Sequence, residues 1–115
     1  MKSGILFNQG DIILVPFLFS DLSNIRQRPV LVLSNLEYNK NSNDIITCGI
    51  TSNLKDTNCS VLIENKDMLE GNLVIMSRIK VDKLFTLEKT IINKKLGRIN
   101  KEIFNRVKKE LFKLI

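Results

Sequence analysis

The sequence predicts a mainly β (α+β) domain: a small closed or half-closed β-barrel with one docked C-terminal helix. Three observations lead there. Short apolar runs, several of them rich in β-branched residues, are separated by polar turn segments along most of the chain. Apolar residues at sustained three- and four-residue spacing stand out at the C-terminal end. The 115 residues are 43% hydrophobic and 26% charged, enough for one core and one domain, read as residues 1–115.

Gly10-Asp11 forms a turn that opens the first strand, residues 12–17 (IILVPF), and Pro16 places that run at a sheet edge or strand end. Residues 20–27 (SDLSNIRQ) are polar and read as a loop. Pro29 biases Arg28 toward extended geometry, and the apolar residues 30–33 form a central strand. One helical turn is expected after Ser34. Residues 44–50 (DIITCGI) are a third strand ended by Thr51-Ser52-Asn53, and residues 59–63 are a fourth. A further helical turn fits residues 65–70, and Glu70-Gly71-Asn72 reads as a turn. Residues 73–84 form a longer strand. Its alternation puts Ile79 and Val81 on one face, and Lys80 and Asp82 on the other. Residues 90–96 are the last strand, with Gly97 as a turn. Asn100 is the expected N-cap of the terminal helix. There Ile103, Phe104, Val107, Leu111, Leu114 and Ile115 make one stripe that packs on the sheet.

Eighteen Lys and Arg against twelve Asp and Glu give a net charge of +6, a balance that suits a polyanionic partner as well as plain solubility. The chain contains no histidine, which excludes Ser-His-Asp triads, imidazole acid–base pairs and His-ligated zinc. Cys48 and Cys59 stand apart with no CxxC spacing, so reduced thiols are expected, with a single disulfide between them left open. Cys48, inside an apolar strand, reads as a buried small hydrophobe, and neither thiol reads as a nucleophile. The apolar residues 5–7 are too short for a signal-peptide core, and no run approaches the ~20 apolar residues that span a bilayer. A cytoplasmic protein without a membrane partner is the expectation.

Four groups of residues have the chemistry to act on a polyanion. Arg26 and Arg28 sit at the mouth of a buried strand, where a guanidinium offers phosphate a fixed fork of donors; a surface ion pair of Arg28 with Asp21 or Glu37 is the competing reading. Thr51, Ser52 and Asn53 bring two hydroxyls and an amide to a strand end, either for phosphate or simply to close a turn. Lys80 and Asp82 share a strand face, where they flank one bound group or form a local ion pair. Phe19 and Tyr38, both in polar segments, have the rings to stack on a base.

Together these pieces resemble the MazF/PemK toxins of type II toxin–antitoxin systems. The likeness runs from Gln9 to Thr90 and is strongest in QGDIILVPFLFSDLSNIRQRPVLVLSN, followed by SRIKVDKLFTLEKT and the short ITSN. It implies an SH3-like barrel with a C-terminal helix, acting as a homodimer. It implies a metal- and cofactor-independent endoribonuclease that cuts single-stranded RNA at short sequences through the ribose 2′-hydroxyl. A cognate antitoxin, acidic or partly disordered, would inhibit it, with DNA binding by the toxin–antitoxin complex. By position, the family's catalytic Arg falls on Arg28 and its catalytic Thr on Thr51. An Arg and an Asp that some members use fall on Lys80 and Asp82, so Lys80 keeps the charge and loses the planar fork. A Glu that others carry in the first loop corresponds to Ser23. On this reading Phe19, Ser23, Asn24, Arg26, Ser52 and Asn53 border the RNA.

Two other readings stay open. A gyrase-poisoning toxin on the same barrel would carry a Trp near its C-terminus, and this sequence has none. A noncatalytic RNA-binding module is compatible with the missing Glu and with Lys80.

Overall fold

The described residues of the computed structural model, 5–18 and 25–115, form seven β-strands and two α-helices. The strands are β1 (Asp11–Leu18), β2 (Ile25–Val32), β3 (Asp44–Thr51), β4 (Ser60–Ile63), β5 (Met68–Gly71), β6 (Ser77–Glu88) and β7 (Lys94–Ile99). The helices are α1 (Leu36–Asn41) and α2 (Lys101–Phe112). Every pairing is antiparallel, in the order β4-β6-β3-β2-β1-β7-β5. The short strands β4 and β5 are the edges, and the sheet curls into a half-barrel that brings Phe17 of β1 against Phe85 of β6. The mainly β class and the C-terminal helix are as the sequence predicts.

Period-two alternation splits the core between two faces. Ile12, Leu31, Cys48, Ile50, Ile79 and Val81 bury on one face, where Ile103, Phe104 and Val107 of α2 cover them. Ile13, Val15, Val30, Val32, Ile45 and Leu87 bury on the other, beside Phe7, with Phe17 and Phe85 half-buried against them. The central strands therefore read as continuous apolar runs because both of their faces are covered. Helix α2 is capped as expected: the Asn100 side chain accepts from the Ile103 N–H at 2.8 Å.

Several elements differ from the sequence reading. Pro16 lies inside β1, opposite Gln27, where its missing N–H is tolerated. Strand β2 begins at Ile25, so Gln27 and both Arg26 and Arg28 are strand residues paired to β1. The predicted longer strand does not include residues 73–76; β6 starts at Ser77 and runs on to Glu88. Val74, Ile75 and Met76 are instead exposed. Strand β5 falls where a helical turn and a reverse turn were expected; only Asn65–Asp67 is helical there, as a 3₁₀ turn. Gly97 is not a turn but a mid-β7 residue, and a Cβ on it would run into the Glu70 carbonyl of β5. Leu111 packs on the core, whereas Leu114 and Ile115 lie beyond α2 and are exposed.

Strand β6 carries one irregularity that shapes the site. Its rungs with β3 jump from Cys48↔Leu84 to Gly49↔Lys80. Val81, Asp82 and Lys83 thus form a bulge with no counterpart on β3.

Candidate active site

Two clefts open beside the last residues of β3. Pairing between β2 and β3 stops at Val30↔Gly49, next to Pro29, which has no N–H to continue it. Past that rung β3 follows β6 instead, as far as Thr51↔Arg78. Continuing the β2–β3 register by two residues brings Arg28 level with Thr51, but the strands are no longer bonded there. The end of β3 becomes a ridge with a cleft on each side, and Ile50 lines both.

The first cleft has a volume of about 600 Å³ and is lined by Thr51, Asn53, Lys55, Lys80, Lys83 and the half-buried rings of Phe17 and Phe85, among others. Thr51 Oγ1 accepts from the Asn53 N–H at 3.1 Å, and Asn53 Oδ1 accepts from the Lys55 N–H at 3.0 Å. A hydroxyl that accepts within its own turn keeps its hydrogen for an incoming oxygen. Lys80 Nζ donates to Thr57 Oγ1 at 2.6 Å, which holds the ammonium at the cleft wall. The second cleft, about 380 Å³, is lined by Arg26, Arg28, Ser52, Ser77 and the apolar residues Val74 and Ile75, among others.

The structure therefore divides the sequence candidates. Arg28, Arg26 and Ser52 share one cleft; Thr51, Asn53 and Lys80 share the other. Asp82 lines neither, because the bulge breaks the alternation that would pair it with Lys80 and presents Lys83 to the cleft instead. Tyr38, on α1, also lines neither. Phe19, Ser23, Asn24 and Asp21 lie outside the described residues. Among the described residues, no carboxylate lines either cleft, whereas Lys55, Lys80, Lys83, Arg26 and Arg28 do.

Sequence reasoning passed over Lys55, Lys83, Phe17, Phe85 and Arg78. Arg78 is largely buried and organises the segment between β3 and β4. Its Nε donates to the Leu54 carbonyl at 3.0 Å, its Nη1 donates to Ser60 Oγ at 3.1 Å, and the guanidinium pairs with Asp56 at 3.4 Å. The signal for Arg78 was its place in the Arg78-to-Asp82 alternation. Lys83 had none, since a regular strand would turn it away from Lys80.

Both cysteines are free. Burial, reinforced by the Asp82 carboxylate, pushes the Cys48 thiol up to about 12, so it is protonated and inert at neutral pH. Among the described residues, no group of His, Cys, Asp and Glu is placed to hold a metal ion. None of their helices is long and apolar enough to cross a membrane.

A family model described as the PemK-like, MazF-like toxin of type II toxin–antitoxin systems matches residues 8–115. The chain belongs to this family. Solved structures of similar fold include a MazE–MazF complex from Deinococcus radiodurans (TM-score 0.79, 20% identity, 96% of each chain covered). They also include an endoribonuclease in complex with its cognate antitoxin from a mycobacterial species (TM-score 0.74, 20% identity, 93% of this chain and 92% of that one). A third is an endoribonuclease from a mycobacterial species (TM-score 0.75, 19% identity, 97% and 93%). At these identities the likeness establishes the fold. A search of curated proteins gives no match. The MazF-like half-barrel with its C-terminal helix thus carries a cationic strand end flanked by two clefts.

Proposed function

We propose that this MazF/PemK-family toxin is an endoribonuclease that cuts single-stranded RNA without a metal in the cytoplasm, and that Arg28 and Thr51 stabilise the reacting phosphate. The observation that carries this reading is the strand end at Thr51, flanked by five cationic side chains and no carboxylate among the described lining residues. A phosphodiester laid over that ridge has Arg28 on one side, and Thr51 and Lys80 on the other. In the reaction the 2′-oxygen bonds to phosphorus as the bond to the 5′-oxygen breaks, with a net proton passing from the 2′-hydroxyl to the leaving oxygen. Charge grows on the non-bridging oxygens, where a guanidinium fork, a hydroxyl and an ammonium are worth most. Lys80 supplies a point charge where an Arg would supply a fork. Asp82 lines neither cleft and is given no role in the proton transfer. Asn53, Ser52 and Arg26 are placed to contact flanking sugar and phosphate.

Homodimerisation and inhibition by a cognate antitoxin complete the proposal. Its support is the antitoxin partners of the structural relatives and the exposed apolar residues Val74 and Ile75 at the rim of the Arg28 cleft. The test is cleavage of a long RNA in EDTA with mapping of new 5′ ends. Arg28→Ala should lower the rate by about 10²–10³ while the fold is kept. Parental rates in the folded variant would remove Arg28 from the mechanism. Binding without any cuts by the parent protein would point to an RNA-binding module, and inhibited DNA supercoiling without cuts to a gyrase poison.

A further inference from the structure

We propose that the Phe17–Phe85 ring pair, with Lys83 at its rim, is a base-stacking subsite that holds the nucleotide next to the scissile phosphate of single-stranded RNA. The inference rests on the RNA reading above and adds to it a place for a nucleobase. Phe17 lies on β1 and Phe85 on β6, with β2 and β3 between them in the sheet. In a flat sheet three spacings of about 4.8 Å would hold those strands roughly 14 Å apart. Curling of the sheet and the reach of the two side chains bring the ring centroids to 5.3 Å, tilted by 58°. Both rings are only half-buried and line the Thr51 cleft, so they act as core on one side and as cleft wall on the other.

Three features make this wall suit a nucleobase with its phosphate. First, it is apolar and aromatic, and every base has a π-face that stacks on such a ring. Second, Lys83 and Lys55 also line the cleft and have no ion-pair partner among the described residues, so their charge is available to phosphate. Third, the wall opens beside Gly49, whose missing side chain leaves room: a Cβ there would meet only the Lys83 Cβ, at 3.6 Å. The β6 bulge ties these together, because it aims Lys83 at the same cleft as Lys80. Single-stranded nucleic acid supplies phosphates at regular spacing to the ammonium groups of Lys55 and Lys83, together with bases for the rings.

The test uses fluorescein-labelled, fully 2′-O-methylated single strands of mixed sequence, which lack the attacking hydroxyl, with binding read by anisotropy. Phe85→Leu should weaken binding by roughly tenfold, and Phe85→Tyr, which restores a ring, should recover it. Lys83→Gln should lower the slope of log affinity against log salt by about 0.7. Gly49→Ala perturbs the subsite without touching the core behind Phe85 and should weaken binding several-fold at an unchanged melting temperature. If Phe85→Leu fails to fold, Gly49→Ala and Lys83→Gln decide the matter. Unaltered binding in the folded variants, or a Tyr variant as weak as the Leu variant, would overturn the subsite. If the parent cuts RNA and the variants cut and bind as well as it does, the subsite fails and the nuclease reading stands. If the parent binds the methylated strand in a Phe85-dependent way but cuts no RNA, the subsite stands and the nuclease reading fails.

Discussion

Asp11 belongs to the Gly-Asp pair that opens β1, within the most family-like stretch of the sequence, yet its role here is to hold the fold. Its carboxylate is fully buried and accepts from the Asn8 N–H at 2.7 Å, from Arg98 Nε at 2.7 Å and from Lys95 Nζ at 3.1 Å. It thereby pins β7 to the start of β1 and draws in the chain that precedes it. Removing one partner of a buried pair costs about 3–5 kcal/mol, chiefly because the opposite charge is left without a partner. Here both cations keep a second interaction: Arg98 reaches Glu70 at 2.9 Å, and Lys95 donates to the Leu6 carbonyl at 2.7 Å. Asp11→Ala should therefore fall near the lower end, about 3 kcal/mol. At about 4 °C per kcal/mol for a domain of this size, the melting temperature should drop by about 12 °C. Urea denaturation of parent and variant measures the free energy, and scanning calorimetry the melting shift. Because Asp11 lines neither cleft, RNA cleavage well below the melting temperature should persist. A loss under about 1 kcal/mol would refute the ledger of bonds, and a loss of cleavage at unchanged stability would place Asp11 in the chemistry.

Cys48 gives a pH dependence. Its thiol is raised from 9.0 to about 12 in the fold, so above pH 9 the unfolded chain releases a proton that the native state keeps. Stability from this group is intact below pH 9 and declines as pH rises toward 12, by about 1.4 kcal/mol at pH 10. Unfolding free energies from urea titrations of parent and Cys48→Ala across pH 8 to 10 should converge by that amount; parallel curves would contradict the burial argument. Gly71 has φ +77°, and a Cβ on it would run into the Leu96 carbonyl. Gly71→Ala should cost about 1–3 kcal/mol and raise amide exchange along β5 and β7; unchanged exchange there would refute the close approach.

Local chemistry made much of this protein readable from its sequence. Asn100 followed by apolar residues at three- and four-residue spacing fixes α2, because capping and helical periodicity involve only near neighbours. The apolar runs of β1, β2 and β3 likewise announce buried strands, although Pro16 and the polar residues 26–28 obscured where β1 and β2 begin and end. The short edge strand β5 was hidden because Glu70-Gly71-Asn72 has turn chemistry, while its strand geometry depends on the neighbouring β7.

The candidate site divides along the same line. Residue type together with the family resemblance made Arg28, Thr51 and Lys80 candidates, since cations and hydroxyls are the groups that suit phosphate. Which of them meet was decided by pairing between strands. The β2–β3 rungs end at Val30↔Gly49, so Arg28 and Thr51 enter different clefts. A bulge on β6 exchanges Asp82 for Lys83 at the cleft wall, and the curl of the sheet brings Phe17 to Phe85. A period-two reading assumes an unbroken ladder, and a bulge or a curl depends on hydrogen bonds and packing between residues far apart in the chain. The sequence alone determined the family, the mainly β class, the capped helix and the cationic character of the site. The tertiary structure alone decided which charges share a cleft and where an aromatic wall stands beside Thr51.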